Sequence, residues 1–156
     1  MKKIFLMLAG TIVFITVIGY FTNGRSFIPH NNQAIKQVTI DNIVIPVEIA
    51  DTPALEAKGL SGRSSLDANS GMLFTVDPKN NEPIFWMKNM LIPLDIIWIK
   101  DNRIIKIDAN IPAPVSGTTD KDLTLYKSPG PVDYVLEVNA GFTFSNNIKV
   151  GDTVTP

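Results

Sequence analysis

Residues 43–50 read Ile-Val-Ile-Pro-Val-Glu-Ile-Ala, and this stretch decides which fold class the sequence favours. Every second residue, beginning with Ile43, is Ile or Val, which is the period of a β-strand that turns one face to a core. The preceding Asp41-Asn42 is a turn signal, so the stretch is expected to be the second strand of a hairpin. Pro46 predicts an edge strand or a bulge, because proline lacks the N–H that an inner strand donates.

Short apolar segments of the same kind continue along the chain after this hairpin. Thr52-Pro53 is expected to begin a short helix that Gly59 ends, since Thr is a favoured N-cap and Pro fits the first helical position. A second helical turn is expected within residues 141–147. Many short strands with one or two short helices predict a mainly β, single compact sandwich or jelly-roll-like domain over residues 35–156. The further strands are expected at residues 72–76, 84–87, 94–99, 103–107, 123–126, 134–138 and 150–152.

The N-terminal part of the chain has a different composition. Residues 4–21 form an uncharged, mostly apolar stretch that follows two lysines. A helix of that length spans about 27 Å, which is close to the hydrocarbon thickness of a bilayer, so a transmembrane helix is predicted. An uncleaved anchor is favoured over a cleaved signal, because no A-x-A-like cleavage site follows the stretch. The lysines predict that residues 1–3 stay in the cytoplasm and that the domain lies outside it, in the periplasm or the extracellular space. Residues 22–34 are polar and contain Gly, Pro and Asn, so they are predicted to be a linker.

The composition argues against several kinds of chemistry. The chain has 156 residues and a formal net charge of −1, which gives no basic face for nucleic acid. It has no cysteine, so a disulfide framework, a thiolate nucleophile and a Cys-rich zinc site are excluded. The only histidine is His30, in the predicted linker, and the domain therefore lacks a Ser–His–Asp triad and a His-bearing metal site. No glycine-rich phosphate loop is present, and neither a metal nor a cofactor is expected.

Five motifs follow one another after Val38. They are EIADTPA (48–54) with KGLSGR (58–63), GMLF (71–74), FWMKNMLIPLDI (85–96), YVLEVNAG (134–141) and IKVGD (148–152). In this order they resemble the family named domain of unknown function 192. That resemblance implies an exported or membrane-associated protein with a compact, mostly β, jelly-roll-like domain, and it brings no established activity. Two positions depart from the family pattern: Met90 stands where threonine is usual, and the loop at residues 111–114 lacks the cysteines of many members.

Polar residues within these motifs are the candidates for a binding site. Asp95 and Glu137 are unusual because each lies between apolar residues, and a buried carboxylate needs a cation or backbone donors. Trp86 is a candidate aromatic contact, although core packing is the more common role of tryptophan. The polar candidates are Arg63, Lys88, Asn89, Asp95 and Glu137.

Arg63 is the favoured partner of Asp95, since its planar guanidinium group holds a carboxylate with two hydrogen bonds. Lys88 or Glu137 is expected close to this pair. Two interpretations stay open for such a cluster. One is a structural ion-pair network, and the other is a polar pocket for an anionic or hydroxylated ligand.

Three functions are compatible with these residues. The first is a non-enzymatic ligand-binding or protein-interaction module, displayed outside the membrane. The second is a hydrolase-type enzyme that acts on an envelope glycan or similar substrate, with Asp95 and Glu137 as acid and base. The third is a structural partner of an envelope protein. The membrane, contacted through residues 4–21, is the one partner that the sequence indicates.

Overall fold

The predicted first hairpin is present in the computed structural model, which describes residues 36–156 of the chain. Strands β1 (Lys36–Ile40) and β2 (Ile43–Ala50) run antiparallel. The turn between them places Asp41 in the left-handed backbone region, with a φ angle of 50°. Aspartate and asparagine tolerate this region better than other residues that carry a side chain, so the Asp41-Asn42 signal predicted the turn correctly.

Helix α1 (Pro53–Lys58) begins and ends where the sequence predicts. The Thr52 hydroxyl accepts a hydrogen bond from the Leu55 N–H at 3.3 Å, which caps the first turn. The Gly59 N–H donates to the Leu55 carbonyl at 2.7 Å, and Gly59 leaves the helix with a φ angle of 47°. Helix α2 (Phe142–Ser145) lies within the segment where a second helical turn is expected.

Seven further strands follow, and two of them differ clearly from the predicted bounds. The strand predicted at residues 103–107 continues to Ile111. It stays paired with the strand of residues 94–100 as far as Leu94, across a β-bulge. The last strand lies at residues 154–155 instead of 150–152, where the chain turns at Gly151 with a φ angle of 99°. The strands are β3 (Gly71–Thr75), β4 (Ile84–Trp86), β5 (Leu94–Lys100), β6 (Arg103–Ile111), β7 (Leu125–Lys127), β8 (Tyr134–Asn139) and β9 (Val154–Thr155).

Seven strands form one sheet in the order β6-β5-β8-β3-β2-β1-β9, and β4 pairs with β7 in a separate ribbon. The strand pairs are antiparallel except β2 and β3, which run parallel. The two ends of the long sheet meet, since Arg103 bridges to Thr153 and the Gly151 N–H donates to the Ile104 carbonyl at 2.8 Å. The fold is therefore mainly β, as predicted, and takes the form of a nearly closed barrel. The predicted sandwich or jelly-roll arrangement is not confirmed.

Strand β2 is an inner strand, so the prediction that Pro46 marks an edge strand is wrong. No bulge interrupts its register with β1 either. On the other side, β3 begins to pair only at Val47, which lies opposite Gly71. Pro46 therefore precedes the part of β2 that is enclosed by neighbours on both sides, and this position tolerates proline.

Each face of the sheet carries its own apolar cluster, because side chains alternate along a strand. The inner cluster fills the barrel and contains residues such as Ile45, Leu73, Ile97 and Leu136. The outer cluster lies between the sheet and the β4–β7 ribbon, which contributes Phe85 and Tyr126. The buried members of the outer cluster are Ala50, Leu60, Met72, Phe74, Met87, Met90, Ile92, Leu94, Ile96, Trp98, Ile111, Val132 and Val135.

The predicted transmembrane segment 4–21 and the predicted linker 22–34 lie outside the described residues. Within residues 36–156, none of the helices has the length and apolar character that crossing a membrane requires.

Candidate functional site

Asp95 is fully buried and is held by backbone donors and a hydroxyl, not by a cation. Its Oδ1 accepts hydrogen bonds from the N–H groups of Asn110, at 2.7 Å, and Gly141, at 3.1 Å. Its Oδ2 accepts from the Thr143 N–H, at 3.0 Å, and from the Thr143 hydroxyl, at 2.6 Å. These four donors satisfy the carboxylate and tie β5 to β6 and α2, so Asp95 has a structural role.

Arg63 pairs with Glu48 of β2, and the predicted pair of Arg63 and Asp95 is therefore wrong. Both guanidinium Nη atoms donate to the Glu48 carboxylate, with an Nη2–Oε2 distance of 2.7 Å. This bond lowers the pKa of Glu48 and raises the pKa of Arg63. The physical reason for the error is alternation: Asp95 lies on the barrel side of the sheet, whereas Glu48 lies on the outer side.

Lys88 and Asn89 lie in the loop between β4 and β5. The Lys88 Nζ is 2.5 Å from an Asp120 carboxylate oxygen and 5.2 Å from the centroid of the Trp86 ring. The Asn89 carbonyl accepts a hydrogen bond from the Gly62 N–H at 2.9 Å. The backbone of residues 88–89 is therefore joined to residues 61–62, next to Arg63, but neither the Lys88 nor the Asn89 side chain is bonded to Arg63 or Asp95.

Glu137 is buried on the outer side of the sheet and has no partner. It lies on β8 opposite Met72 of β3 and Ile96 of β5, with 6% of its surface exposed. Among residues 36–156, none forms a hydrogen bond or an ion pair with its carboxyl group, and the carboxyl oxygens are in contact with the space of a cavity. Strand alternation does point Glu137 out of the barrel, but the β4–β7 ribbon and its flanking loops cover that face.

A cavity of about 320 Å³ lies over Glu137. Its floor and walls are apolar side chains of the outer cluster, among them Leu60, Phe74, Phe85 and Met90. Leu60 and Met90 meet here because their loops are joined by hydrogen bonds. One of these is the bond from the Ser61 hydroxyl to the carbonyl of residue 88, at 2.9 Å. Polar and charged residues contribute to the lining as well, and Glu137 is the buried polar group among the apolar side chains at the base. A concave site with apolar walls and a few convergent polar groups is the usual form of a small-molecule site.

The rim of the cavity carries the aromatic residue that the sequence indicated. Trp86 lines the cavity and keeps 46% of its surface exposed. Trp98, by contrast, is fully buried, and its indole N–H donates to an Asp108 carboxylate oxygen at 2.8 Å, so it belongs to the core. Three exposed charged residues complete the rim, namely Glu56, Lys58 and Asp77.

Burial controls the protonation of Glu137. Removal of the carboxyl group from water disfavours its charged form and raises the pKa of Glu137 to about 8. The group is thus mostly protonated near neutral pH, and it can lose its proton within the physiological range when a ligand favours the charged form.

Of the predicted site residues, the structure places only Glu137 and Trp86 at this cavity. Leu60, Phe74 and Met90 were missed, because an apolar residue in a sequence motif is indistinguishable from core. The role of Glu48 as the partner of Arg63 was also not predicted, because Glu48 alternates with apolar residues along β2 as an ordinary solvent-facing residue does. The signal that could have identified the cavity is Glu137 itself, an acid between two apolar residues.

Asp95 and Glu137 do not form the acid–base pair considered for a hydrolase. Asp95 lies opposite Val138, and Ile96 lies opposite Glu137, so the two acids occupy adjacent positions of the β5–β8 ladder. Successive side chains point to opposite faces, which separates the two carboxyl groups by the sheet. No cluster of three metal-ligating side chains occurs within residues 36–156.

Comparison with known proteins places the chain in a family. Residues 36–156 match the model of domain of unknown function 192, described as "Uncharacterized ACR". A protein of unknown function from Novosphingobium aromaticivorans DSM 12444 is 36% identical in sequence. Its structure superposes with a TM-score of 0.72 over 82% of this chain and 89% of that one. None of the curated proteins matches.

A second solved structure has the same fold. It is a protein from Sinorhizobium meliloti 1021, proposed to be a transcription regulator, with 29% sequence identity and a TM-score of 0.68. The match covers 79% of this chain and 94% of that one. The family model accounts for the whole of the described barrel, including both loops that build the cavity. The chain therefore belongs to the family of domain of unknown function 192.

Proposed function

We propose that this protein is a small-molecule-binding domain, displayed outside the cytoplasm on a membrane anchor formed by residues 4–21. One observation carries the proposal: a largely buried carboxyl group without a partner among the described residues, that of Glu137, lies among apolar side chains at the base of a cavity. Leaving such a group without a hydrogen bond costs stability, and a purely structural residue at this position would be apolar. A ligand that pairs with Glu137 offsets this cost.

The size and shape of the cavity support a small ligand. Its volume of about 320 Å³ lies at the lower end of the range for small-molecule sites, roughly 300–1,000 Å³. Phe74 and Phe85 meet edge to face, with ring centroids 4.9 Å apart, and form a rigid apolar wall. The anchor and the extracytoplasmic location rest on the sequence of the N-terminal segment alone.

Binding is favoured over catalysis because Asp95 is not available as a second acid–base group. Glycoside cleavage needs two carboxyl groups that flank the scissile bond, and Asp95 lies on the opposite face of the sheet. The net charge of −1 gives no support for nucleic-acid binding, so the role proposed for the Sinorhizobium protein is not extended to this chain.

A thermal-shift screen of small molecules against the full chain tests the proposal. A ligand of the folded state at 100 times its Kd should add about 2.7 kcal/mol to the free energy of unfolding. Glu137→Leu should keep the fold and lose the shift, while Glu82→Gln, an exposed acid outside the cavity, should keep the shift. If no compound stabilises the wild type, or if Glu137→Leu retains every shift, the proposal fails, and a structural partner of an envelope protein becomes the better interpretation.

A further inference from the structure

The charged residues around the cavity are mostly acidic. Its lining contains three carboxyl groups, on Glu56, Asp77 and Glu137, and one ammonium group, on Lys58. Glu56, Asp77 and Lys58 are exposed at the rim, whereas Glu137 is buried at the base. A cleft with an excess of one sign of charge and low-dielectric walls concentrates ligands of the opposite sign. This distribution favours a cation over an anion.

The two cations that the sequence suggested for the site are already engaged elsewhere. The Arg63 guanidinium group holds Glu48, and the Lys88 ammonium group holds Asp120. An anionic ligand would therefore meet Glu137 with only rim ammonium groups to attract it, those of exposed Lys58 and of Lys88, and Lys88 is already paired with Asp120. Of the anionic or hydroxylated ligand that the sequence suggested, the anionic alternative is therefore disfavoured by this arrangement.

The aromatic walls suit a cation that carries an apolar body. Phe74, Phe85 and Trp86 line the cavity, and aromatic faces attract ammonium groups through their quadrupole. The Lys88 Nζ, 5.2 Å from the centroid of the Trp86 ring, already makes such a contact at the rim. A primary ammonium group also supplies several N–H donors for the two oxygens of the Glu137 carboxylate. With a neutral ligand, Glu137 stays protonated and has only its own O–H to donate.

We propose that the ligand of this cavity is a small organic cation, in which an ammonium group pairs with the ionised Glu137 carboxylate and an apolar body lies against Phe74, Phe85 and Trp86. This proposal rests on the proposed function and names the chemical class of its ligand. It goes beyond the family, for which no activity is established.

Pairing with a cation couples binding to the loss of a proton. Since burial raises the pKa of Glu137 to about 8, most free protein holds the proton near neutral pH and must release it when the cation binds. The affinity for a cation should therefore increase with pH up to about 8, by at most about tenfold per unit, and then level off. A neutral hydrogen-bond acceptor would bind the protonated acid, and its affinity should fall above about pH 8. The other charged groups that face the cavity are Glu56 and Lys58 of the α1 segment and Asp77 after β3.

Calorimetric titration of the full chain with a matched series of probes tests the ligand class. The cations are butylammonium, 2-phenylethylammonium and tetramethylammonium, and the counterparts are butanol, 2-phenylethanol and phenylacetate. At least one cation should bind more tightly than its neutral and anionic counterparts. Its Kd should fall several-fold between about pH 6 and about pH 8, with release of up to one proton per bound ligand. Buffers with different heats of ionisation measure that proton.

Two variants make the test specific to Glu137. Glu137→Gln, which keeps the shape and removes the charge, should weaken the cation at about pH 8 by tenfold or more and abolish the pH dependence. Glu82→Gln should change neither. Tighter binding of a neutral or anionic counterpart, through Glu137, would overturn the cation class and leave the proposed function standing. If no probe of the series binds, the cation proposal fails, and whether the broader compound screen also fails decides the proposed function separately.

Discussion

Asp95 and Glu137 are neighbours in the same ladder, and the structure gives them opposite environments. Asp95 accepts four hydrogen bonds on the barrel side, and Glu137 accepts none from the described residues on the outer side. A buried carboxylate with four donors is a structural element, whereas a largely buried carboxyl group without protein donors costs stability, and a ligand in the cavity can offset that cost. At the scale of single residues, the sequence marked both acids as unusual and could not tell them apart.

Replacement of Asp95 by asparagine should destabilise the fold. The amide has one acceptor oxygen in place of two, and its NH₂ group would face donors of the backbone, so we expect a loss of about 3 kcal/mol. Urea unfolding measures this change. Asp101→Asn is the matched control, because its side chain is exposed and asparagine tolerates the φ angle of 49°; it should cost less than about 0.5 kcal/mol. Equal stability of the two variants would refute the structural role of Asp95.

The Arg63–Glu48 pair should be visible in the titration of Glu48. The hydrogen bond from Arg63 holds the pKa of Glu48 below its ordinary value, so Arg63→Gln should raise that pKa. A lowered pKa in the folded state stabilises the protein at pH values above the ordinary range, and this contribution is lost as the pH falls through the folded pKa. The loss of stability should be modest, since both side chains are partly exposed. Carboxyl-detected NMR of the variant checks the shift, and an unchanged Glu48 titration would contradict the pair.

Glu137 should make the stability of the protein depend on pH in the opposite sense. Its pKa rises from 4.5 to about 8 on folding, so the folded state keeps a proton that the unfolded state releases. That contribution is complete below the unfolded pKa of 4.5 and is lost as the pH rises through the folded pKa of about 8. Relative to Glu137→Gln, the wild type should lose up to about 1.4 kcal/mol per pH unit across this interval. If the free energy of unfolding changes with pH in the same way for the wild type and Glu137→Gln, Glu137 is solvated.

At the scale of elements, β3 and β8 position Glu137 through an unusually close approach. A Cβ atom on Gly71 would lie 2.6 Å from the Glu137 carbonyl oxygen and 3.0 Å from the Leu136 Cδ1. The first of these contacts is with backbone, which cannot move aside as the end of a side chain can. Glycine is therefore required at this position of β3, which lies between its parallel neighbour β2 and its antiparallel neighbour β8.

Substitution of Gly71 by alanine should separate β3 from β8. The overpacking should cost about 1–3 kcal/mol and disturb the position of Glu137 at the base of the cavity. Chemical denaturation gives the energy, and binding of the same probe ligand gives the effect on the site. Gly62→Ala is a useful comparison, since its Cβ would meet no atom within 4 Å and only the φ angle of 76° opposes it. If Gly71→Ala is the less harmful of the two, the close approach is not important.

The elements themselves were largely predictable, and their neighbours were not. The period of two in residues 43–50 and the Thr52 cap give β2 and α1 their bounds, because both signals are local. The partner of Arg63 depends on which face of the sheet each residue occupies, and that follows only from the strand order. The parallel pairing of β2 with β3 joins Val47 to Gly71, and no local sequence pattern predicts it.

At the scale of the whole molecule, one sheet separates two apolar clusters with different roles. The inner cluster closes the barrel, and its members extend from β1 to β9. The outer cluster is covered only by a two-stranded ribbon and loops, and the cavity lies where this cover is incomplete. The sequence predicted one compact β domain. A strand that is apolar on both faces does not indicate which face packs in the barrel core and which face lines a cavity.

The direct measurement of the Glu137 pKa tests the central claim of an unpartnered acid in a ligand cavity. Carboxyl-carbon NMR of the full chain without ligand, assigned by comparison with Glu137→Gln, follows the titration of this single group. A midpoint near pH 8 is predicted, because burial alone acts on the group in the free protein. A midpoint near the ordinary value of 4.5 would show that Glu137 is hydrated or paired, and it would contradict both the site and its proposed ligand.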